Sequence, residues 1–370
     1  MKREGNGGKG EKEEYNYWLC SIDGIGGRKL NCLRKEMGSA EAVFFASPGQ
    51  LEKISGITKK DVHNIVESRK KYNPGFRERS MSVFGMSCVT FFSDGYPLQC
   101  RELYTPPKRL FYKGSLPVEK RRIAVVGARD CSVYGRTMAR RFAAGLASGG
   151  VAVISGMARG IDGWAHQGAL EAGGKTYAVL GNSVEKCYPR EHERLYRSIV
   201  EHGGIISEYP PGTEARSGFF PMRNRIISAL SDGVLVVEAR AKSGSLITAD
   251  QALEQGKEVF VIPGRVGDER SEGCNNLIKQ GACLVTQPEE VLELIGVTPD
   301  DQKENNRNFH IVLETKEKMV YDSLSFEPKH LSILADDLKL EQTEVMRCLL
   351  SLLKNGMIQE IGNHYYIKCS

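Results

Sequence analysis

The chain has 370 residues, 41% of them apolar, enough to bury a sizeable core divided among two or three domains. No apolar run reaches the roughly 18 residues of a membrane span, and the polar start lacks a signal peptide's apolar stretch, so a soluble cytoplasmic protein without membrane contact is expected. A net charge of +5, from 51 basic against 46 acidic side chains, decides nothing alone, while 10 cysteines without a Cys-x-x-Cys pair point to reduced thiols and no structural metal.

Residues 1–14 are mostly Gly, Lys and Glu and are expected to form a disordered leader. Residues 15–72 have helical periodicity and an internal echo, "IDGIGGRKL" (Ile22 to Leu30) and "ISGITKKDV" (Ile54 to Val62). Each copy passes from a Gly-containing turn into a basic, apolar-periodic helix, a pattern similar to the helix-hairpin-helix, which offers helix-start N–H groups to a phosphate. The second copy has Thr58 where that motif prefers Gly, so a small helical bundle with tight turns, of the SAM type, is the preferred reading. Residues 73–117 include Pro106 and Pro107 and read as an extended lead-in to a sheet.

From 118 to 296 the rhythm changes. "RIAVVG", "VAVIS", "TYAVLG", "GIISE", "VLVVEA", "EVFVIPG" and "CLVT" are short, β-branched runs separated by amphipathic helical segments. That alternation predicts an α/β domain, a doubly wound, mostly parallel sheet with helices on both faces. Residues 297–308 are polar and read as a linker. Residues 309–370 give three helices and two short strands around Gly362-Asn363, the order of a winged helix. Its third helix opens with Glu341 and Glu344, which phosphates would repel, so a docking module is expected rather than a reader of bases.

Two motif matches fail on context. "ALEAGGKT" (169–176) has the spacing of a loose phosphate-binding loop, but a helix enters it and a strand leaves, the reverse of what that loop needs, so Gly173-Gly174 reads as a helix C-cap. Gly5, Gly7 and Gly10 fit G-x-G-x-x-G with no strand before them.

Five strand-to-helix junctions remain, and in an open α/β sheet these gather at the carboxyl ends of the strands. The first holds Gly127 and Arg129. The second, "SGMARGID", has Ser155, Gly156 and Gly160 for close backbone approach and Asp162 as a helix cap. Arg190 follows Pro189 in the third; Arg223 and Arg225 stand behind Phe219 and Phe220 in the fourth; Ser243-Gly244-Ser245 form the fifth. Arg223 and Arg225, two apart on a helix, cannot share one face. Between Lys120 and Leu230 arginines outnumber lysines 13 to 3, a bias toward the forked cation that grips phosphate. Singly, each residue has a structural reading: Asp162 as cap, His166 as a packed imidazole, Cys187 as a passive thiol, Phe219 and Phe220 as core or stacking surface.

"VVGAR", "SGMARGID", "FPMRNRIISALSDGVLVVEA", "SGSLITADQAL" and "SEGCNNLIKQGA" together resemble the DNA-processing protein A (DprA, or Smf) family, with Ala128 where that family more often has Ser or Thr. The resemblance covers the doubly wound domain and, in less detail, the flanking domains. It implies an extended Rossmann-like domain that forms a homodimer, binds single-stranded DNA, protects it and loads the RecA recombinase during natural transformation, without cofactor, metal or catalysis. Carried over by motif, the phosphate pocket comprises Gly127, Arg129, Ser155, Gly156, Gly160, Arg190 and the run Arg223, Asn224, Arg225. The rival, a nucleotide phosphoribohydrolase of similar topology, needs a P-G-G-x-G-T-x-x-E loop that neither "PGRVGDE" nor "SGSLITAD" supplies.

Overall fold

The computed structural model describes residues 7–73, 75–297, 314–325, 327–354 and 357–368, with side chains from Lys12 onward. Helices Gly7–Ser21, Gly27–Met37, Ala40–Phe45, Pro48–Glu52 and Lys59–Lys70 form the N-terminal unit. Their starts follow local chemistry: Ser39 accepts from Ala42 N, and Ser47 with Gln50 and Thr58 with Asp61 close capping boxes. The first helix begins at Gly7, inside the expected leader. Tyr15, Trp18, Leu19 and Ile22 bury one helical stripe. Glu13 also accepts from Ser93 Oγ at 2.7 Å, which ties this helix to the sheet domain.

The lead-in is more structured than its prolines indicated. It holds helix Phe76–Phe84, strand β1 (Ser87–Thr90), a helical turn at Leu98–Arg101 and strand β2 (Arg109–Gly114). The seven expected strands come next as β3 (Arg122–Val126), β4 (Ala152–Ser155), β5 (Thr176–Val179), β6 (Gly203–Ser207), β7 (Gly233–Val236), β8 (Glu258–Val261) and β9 (Cys283–Leu284). Together they make one sheet in the order β1-β2-β6-β5-β4-β3-β7-β8-β9. β1 and β2 pair antiparallel, as do β2 and β6; every other pair is parallel.

Alternate side chains of the central strands feed two cores. Ile123, Val125, Val153 and Leu235 pack with helix Val133–Ser148, whereas Ala124, Val126, Ile154 and Val234 pack with helices Phe219–Ala229 and Gly244–Glu254. The expected linker lies, from residue 298 on, outside the described residues. Beyond it come helices Thr315–Ser323, Leu331–Leu338 and Gln342–Lys354 and an antiparallel sheet of three short strands, an arrangement compatible with a winged helix. The hairpin turns at Asn363 and His364, both with positive φ, rather than at Gly362-Asn363.

Candidate functional site

The chain runs outward from β3 through β4 and β5 to β6, then returns to place β7 on the other side of β3. Connections leaving β3 and β7 therefore diverge at their carboxyl ends, and a crevice opens where they part. A cleft of about 640 Å³ lies there. All five junctions reach it: Arg129 from the first, Asp162 from the second, Tyr188 from the third, Phe220 with Arg223 and Asn224 from the fourth, and Arg240 with Lys242 from the fifth.

Much of what glycine and serine do here is internal. A Cβ on Gly127 would stand 2.6 Å from Ile161 Cγ1, and one on Gly160, whose φ is +72°, would stand 2.2 Å from the Ala128 carbonyl oxygen. Gly156 is pressed against Arg223, whose Nη1 would lie 2.2 Å from an added Cβ. Ser155 is fully buried and donates its hydroxyl to the Val125 carbonyl at 2.6 Å, so it offers nothing to a ligand. Asp162 is not the cap of its helix, a place held by Gly160. Its carboxylate instead accepts from Gly156 N at 3.1 Å and Ala158 N at 3.4 Å, occupying two N–H groups of the glycine loop. The start of helix Val133–Ser148 is taken as well: buried Glu238 accepts from Ser132 N at 2.8 Å.

Arg223 is buried beneath the cleft. Its Nη1 donates to the Gly156 carbonyl at 2.8 Å and to the Val179 carbonyl, fixing the loop after β4 to the end of β5. Burial lowers its pKa to about 10, opposed by the negative charge of Asp162, so it stays cationic near neutrality. Burial likewise raises the Asp162 pKa, against the pull of Arg223. His166 is also interior: its Nδ1 meets Thr176 Oγ1 at 2.7 Å, and burial takes its pKa down to about 3, leaving a neutral ring.

What faces outward is cationic and aromatic. The Arg129 guanidinium carbon lies 4.9 Å from the Phe220 ring centre, and Phe220 stacks at 5.7 Å and 28° on Tyr188, itself 46% exposed. Arg240 and Lys242 are exposed on the opposite wall. Among the lining residues, Arg129, Arg223, Arg240 and Lys242 stand against Asp130 and Asp162. Asp130 leans on Arg270 at 3.3 Å and Arg240 at 4.0 Å, not on Arg129. Asn224 Nδ2 donates to the Gly244 carbonyl at 3.4 Å, joining the fourth and fifth junctions.

Of the expected residues, Gly127, Arg129, Arg223 and Asn224 line this cleft, while Ser155, Gly156, Gly160, Arg190 and Arg225 do not. Arg190 is exposed at the start of a short 3-10 turn and does not line the cleft. Arg225 turns away from Arg223, as its helical phase requires, and Nη2 donates to Glu208 Oε2 at 2.6 Å. Phe219 also leaves the cleft, stacking on Tyr209 at 4.3 Å. Tyr188, Arg240 and Lys242 were missed. The Arg-Ala-Lys run ahead of Ser243 was the available signal for two of them, since it lies in a strand-to-helix connection and these gather at the carboxyl edge of the sheet. Gly173, with φ +70°, ends helix Ile161–Glu171 as a cap, so the rejected phosphate-loop match is indeed a helix end. Gly5 lies outside the described residues. Among the described residues no group of His, Cys, Asp and Glu could hold a metal ion, and no helix is long and apolar enough to cross a membrane.

Comparison with known proteins agrees with this geometry. The family model for DNA recombination-mediator protein A matches residues 87–296, from β1 to the helix after β9. Protein Smf of Escherichia coli is 51% identical over 203 residues, 54% of this chain and 54% of its own, so the match spans about half of that relative. The DNA processing protein DprA of Streptococcus pneumoniae is 44% identical over 55% of this chain and 72% of its own. The X-ray structure of DprA from that species superposes with a TM-score of 0.66 at 34% identity, covering 76% of this chain and 97% of the other. A Helicobacter pylori DNA processing protein A, whose structure is described in terms of its single-stranded DNA binding mode, superposes with a TM-score of 0.53 at 29% identity, over 58% of this chain and 97% of its own. The crevice beside β3, its arginines and the matched residues lead to one assignment: the chain belongs to the DNA recombination-mediator protein A family, the DprA/Smf proteins.

Proposed function

We propose that this protein binds single-stranded DNA across the cleft at the carboxyl edge of the sheet and acts as a recombination mediator. The observation that carries the reading is the convergence of all five junctions on one cleft lined by exposed Arg129, Arg240, Lys242 and Tyr188 and half-buried Phe220, with the exposed acid Asp130 drawn toward Arg270. Forked guanidinium groups hold phosphodiesters regardless of sequence. The stacked pair Tyr188 and Phe220 offers a face to an unpaired base, and a paired base has none to give. The single-stranded DNA binding mode named for the Helicobacter relative supports the same assignment.

On this reading the protein shields incoming single strands in the cytoplasm during natural transformation, works as a homodimer through the sheet domain, and passes the strand to RecA; these steps rest on family membership. It catalyses no reaction. In support, the acids lining the cleft have partners, Asp162 in the loop amides and Asp130 in Arg270, and His166 nearby is bound to Thr176. Fluorescence anisotropy with labelled oligonucleotides tests the proposal. Single strands should bind well ahead of duplex of the same length, with affinity falling as salt rises. Equal affinity for duplex, or hydrolysis of AMP to base and ribose phosphate, would contradict it.

A further inference from the structure

Arg225, turned away from the principal cleft, lines a second one of about 420 Å³ between the helical domain and the sheet. Its walls include Gly26, Pro106, Lys108, Arg109 and, at the carboxyl end of β6, Glu208. Three cations and one carboxylate thus line it; Lys108 Nζ donates to the Ile22 carbonyl at 3.0 Å and Arg109 Nη1 to Ser21 Oγ at 2.7 Å. Arg225 gives Nη2 to Glu208, but its Nε and Nη1 are buried with no hydrogen-bond partner among the described residues. The Lys108 pKa is lowered by burial and then by the positive charge of Arg109, a strain that a bound anion would relieve.

The two echoed glycine turns differ here. The second is closed from within: Thr58 and Asp61 box the start of helix Lys59–Lys70, and Asp61 also takes Lys29 at 2.6 Å. The first is open. Gly26 carries no side-chain cap for helix Gly27–Met37, and a Cβ built on it would meet nothing within 4 Å. Beside this turn the Arg28 guanidinium lies 3.7 Å over the ring of Tyr104, which is 78% exposed. A free aromatic face backed by a cation, next to a basic cleft, is the pairing that single-stranded nucleic acid uses: a base on the ring, a phosphodiester in the cleft.

We propose that this second cleft is a further contact for the same strand, taking a phosphodiester between Arg109, Arg225 and the open glycine turn, with a base on Tyr104. Helix Phe219–Ala229 joins the two contacts, presenting Arg223 and Asn224 to one cleft and Arg225 to the other. A strand crossing that helix, about 10 Å across, passes from one to the other. The inference rests on the proposed function, and strand length separates the two. Oligothymidylates of about 6 and about 20 nucleotides, titrated by anisotropy against the full chain, give short probes room for the principal cleft alone.

Because Tyr104 and Arg28 are exposed, Tyr104→Ala with Arg28→Ala leaves the fold intact, which a thermal melt verifies. The pair should weaken the long probe about tenfold, lower its salt slope by about 0.7 for each phosphate lost, and leave the short probe unchanged. Glu208→Gln, which frees Arg225, should tighten the long probe only. Arg129→Ala should weaken both lengths. If the Tyr104 and Arg28 changes leave both lengths unaffected, or weaken both alike, the second contact is wrong while the principal cleft stands. If Arg129→Ala spares both lengths, the functional reading itself fails.

Discussion

The junction after β4 and the junction after β7 open onto the same cleft but are built for different ends. The first is rich in glycine and spends it inward: Gly160 lets the Ala128 carbonyl pass, Gly156 lets Arg223 in, and Asp162 takes the loop amides. The second is plain in sequence and spends its charge outward, with Arg240 and Lys242 exposed ahead of the Ser243 cap. A glycine at a strand end therefore reports how closely something approaches, and here the something is the protein itself. The ligand is met by exposed cations and rings held in place by that packing.

Substitutions should separate the two junctions cleanly. The largest effect is expected at Asp162→Ala, which strips two loop amides of their acceptor and leaves buried Arg223 without its counter-charge; about 4 kcal/mol of stability should be lost in urea denaturation. Gly160→Ala comes second at about 3 kcal/mol, because its φ of +72° and the nearby Ala128 carbonyl both oppose a side chain. In each case the fraction that remains folded should still prefer single strands.

Acid should act on the inner layer as well. His166 titrates near 6.5 in the unfolded chain and at about 3 in the folded one, so the unfolded state binds the extra proton between those values. Its contribution is complete above pH 6.5 and is lost as pH falls toward 3, at about 1.4 kcal/mol per unit. Urea midpoints of the wild type and of His166→Gln, compared between pH 7 and 5, should show a shallower acid decline in the variant.

The outer layer should respond in the opposite sense. Arg129→Ala and Arg240→Ala should each cost about tenfold in affinity for single strands, lower the salt slope, and leave the urea midpoint within about 0.5 kcal/mol of the wild type. Arg190→Ala, outside the cleft, should change affinity less than twofold by the same titration. A larger loss at Arg190 than at Arg240 would move the strand's path toward the third junction.

The sheet was legible because strands buried on both faces are predominantly apolar and β-branched, and all seven expected between 118 and 296 are present. β1 and β2 were not legible as part of it: they are short antiparallel strands separated by a proline-containing segment, and the pairing of β2 with β6 depends on contacts far away in sequence. At the site, the sequence identified which junctions meet, since topology alone brings strand ends together. It did not show which polar groups were already satisfied. Ser155 looks like a ligand contact and Asp162 like a helix cap in a one-dimensional motif, and only the positions of Val125 O and the loop amides reveal that the first is taken and that the second serves the loop instead. Tyr188 was hidden for a similar reason, since its value comes from stacking on Phe220, 32 positions later.

Photocrosslinking of a bromouracil-substituted single strand, with mass spectrometry of the joined peptides, tests most directly whether DNA lies across the carboxyl edge of the sheet. Adducts should form on Tyr188 and Phe220 and disappear when Arg129 is replaced by alanine. Adducts confined to the amino ends of the strands, with Tyr188 and Phe220 untouched, would show that the strand binds another face of the molecule.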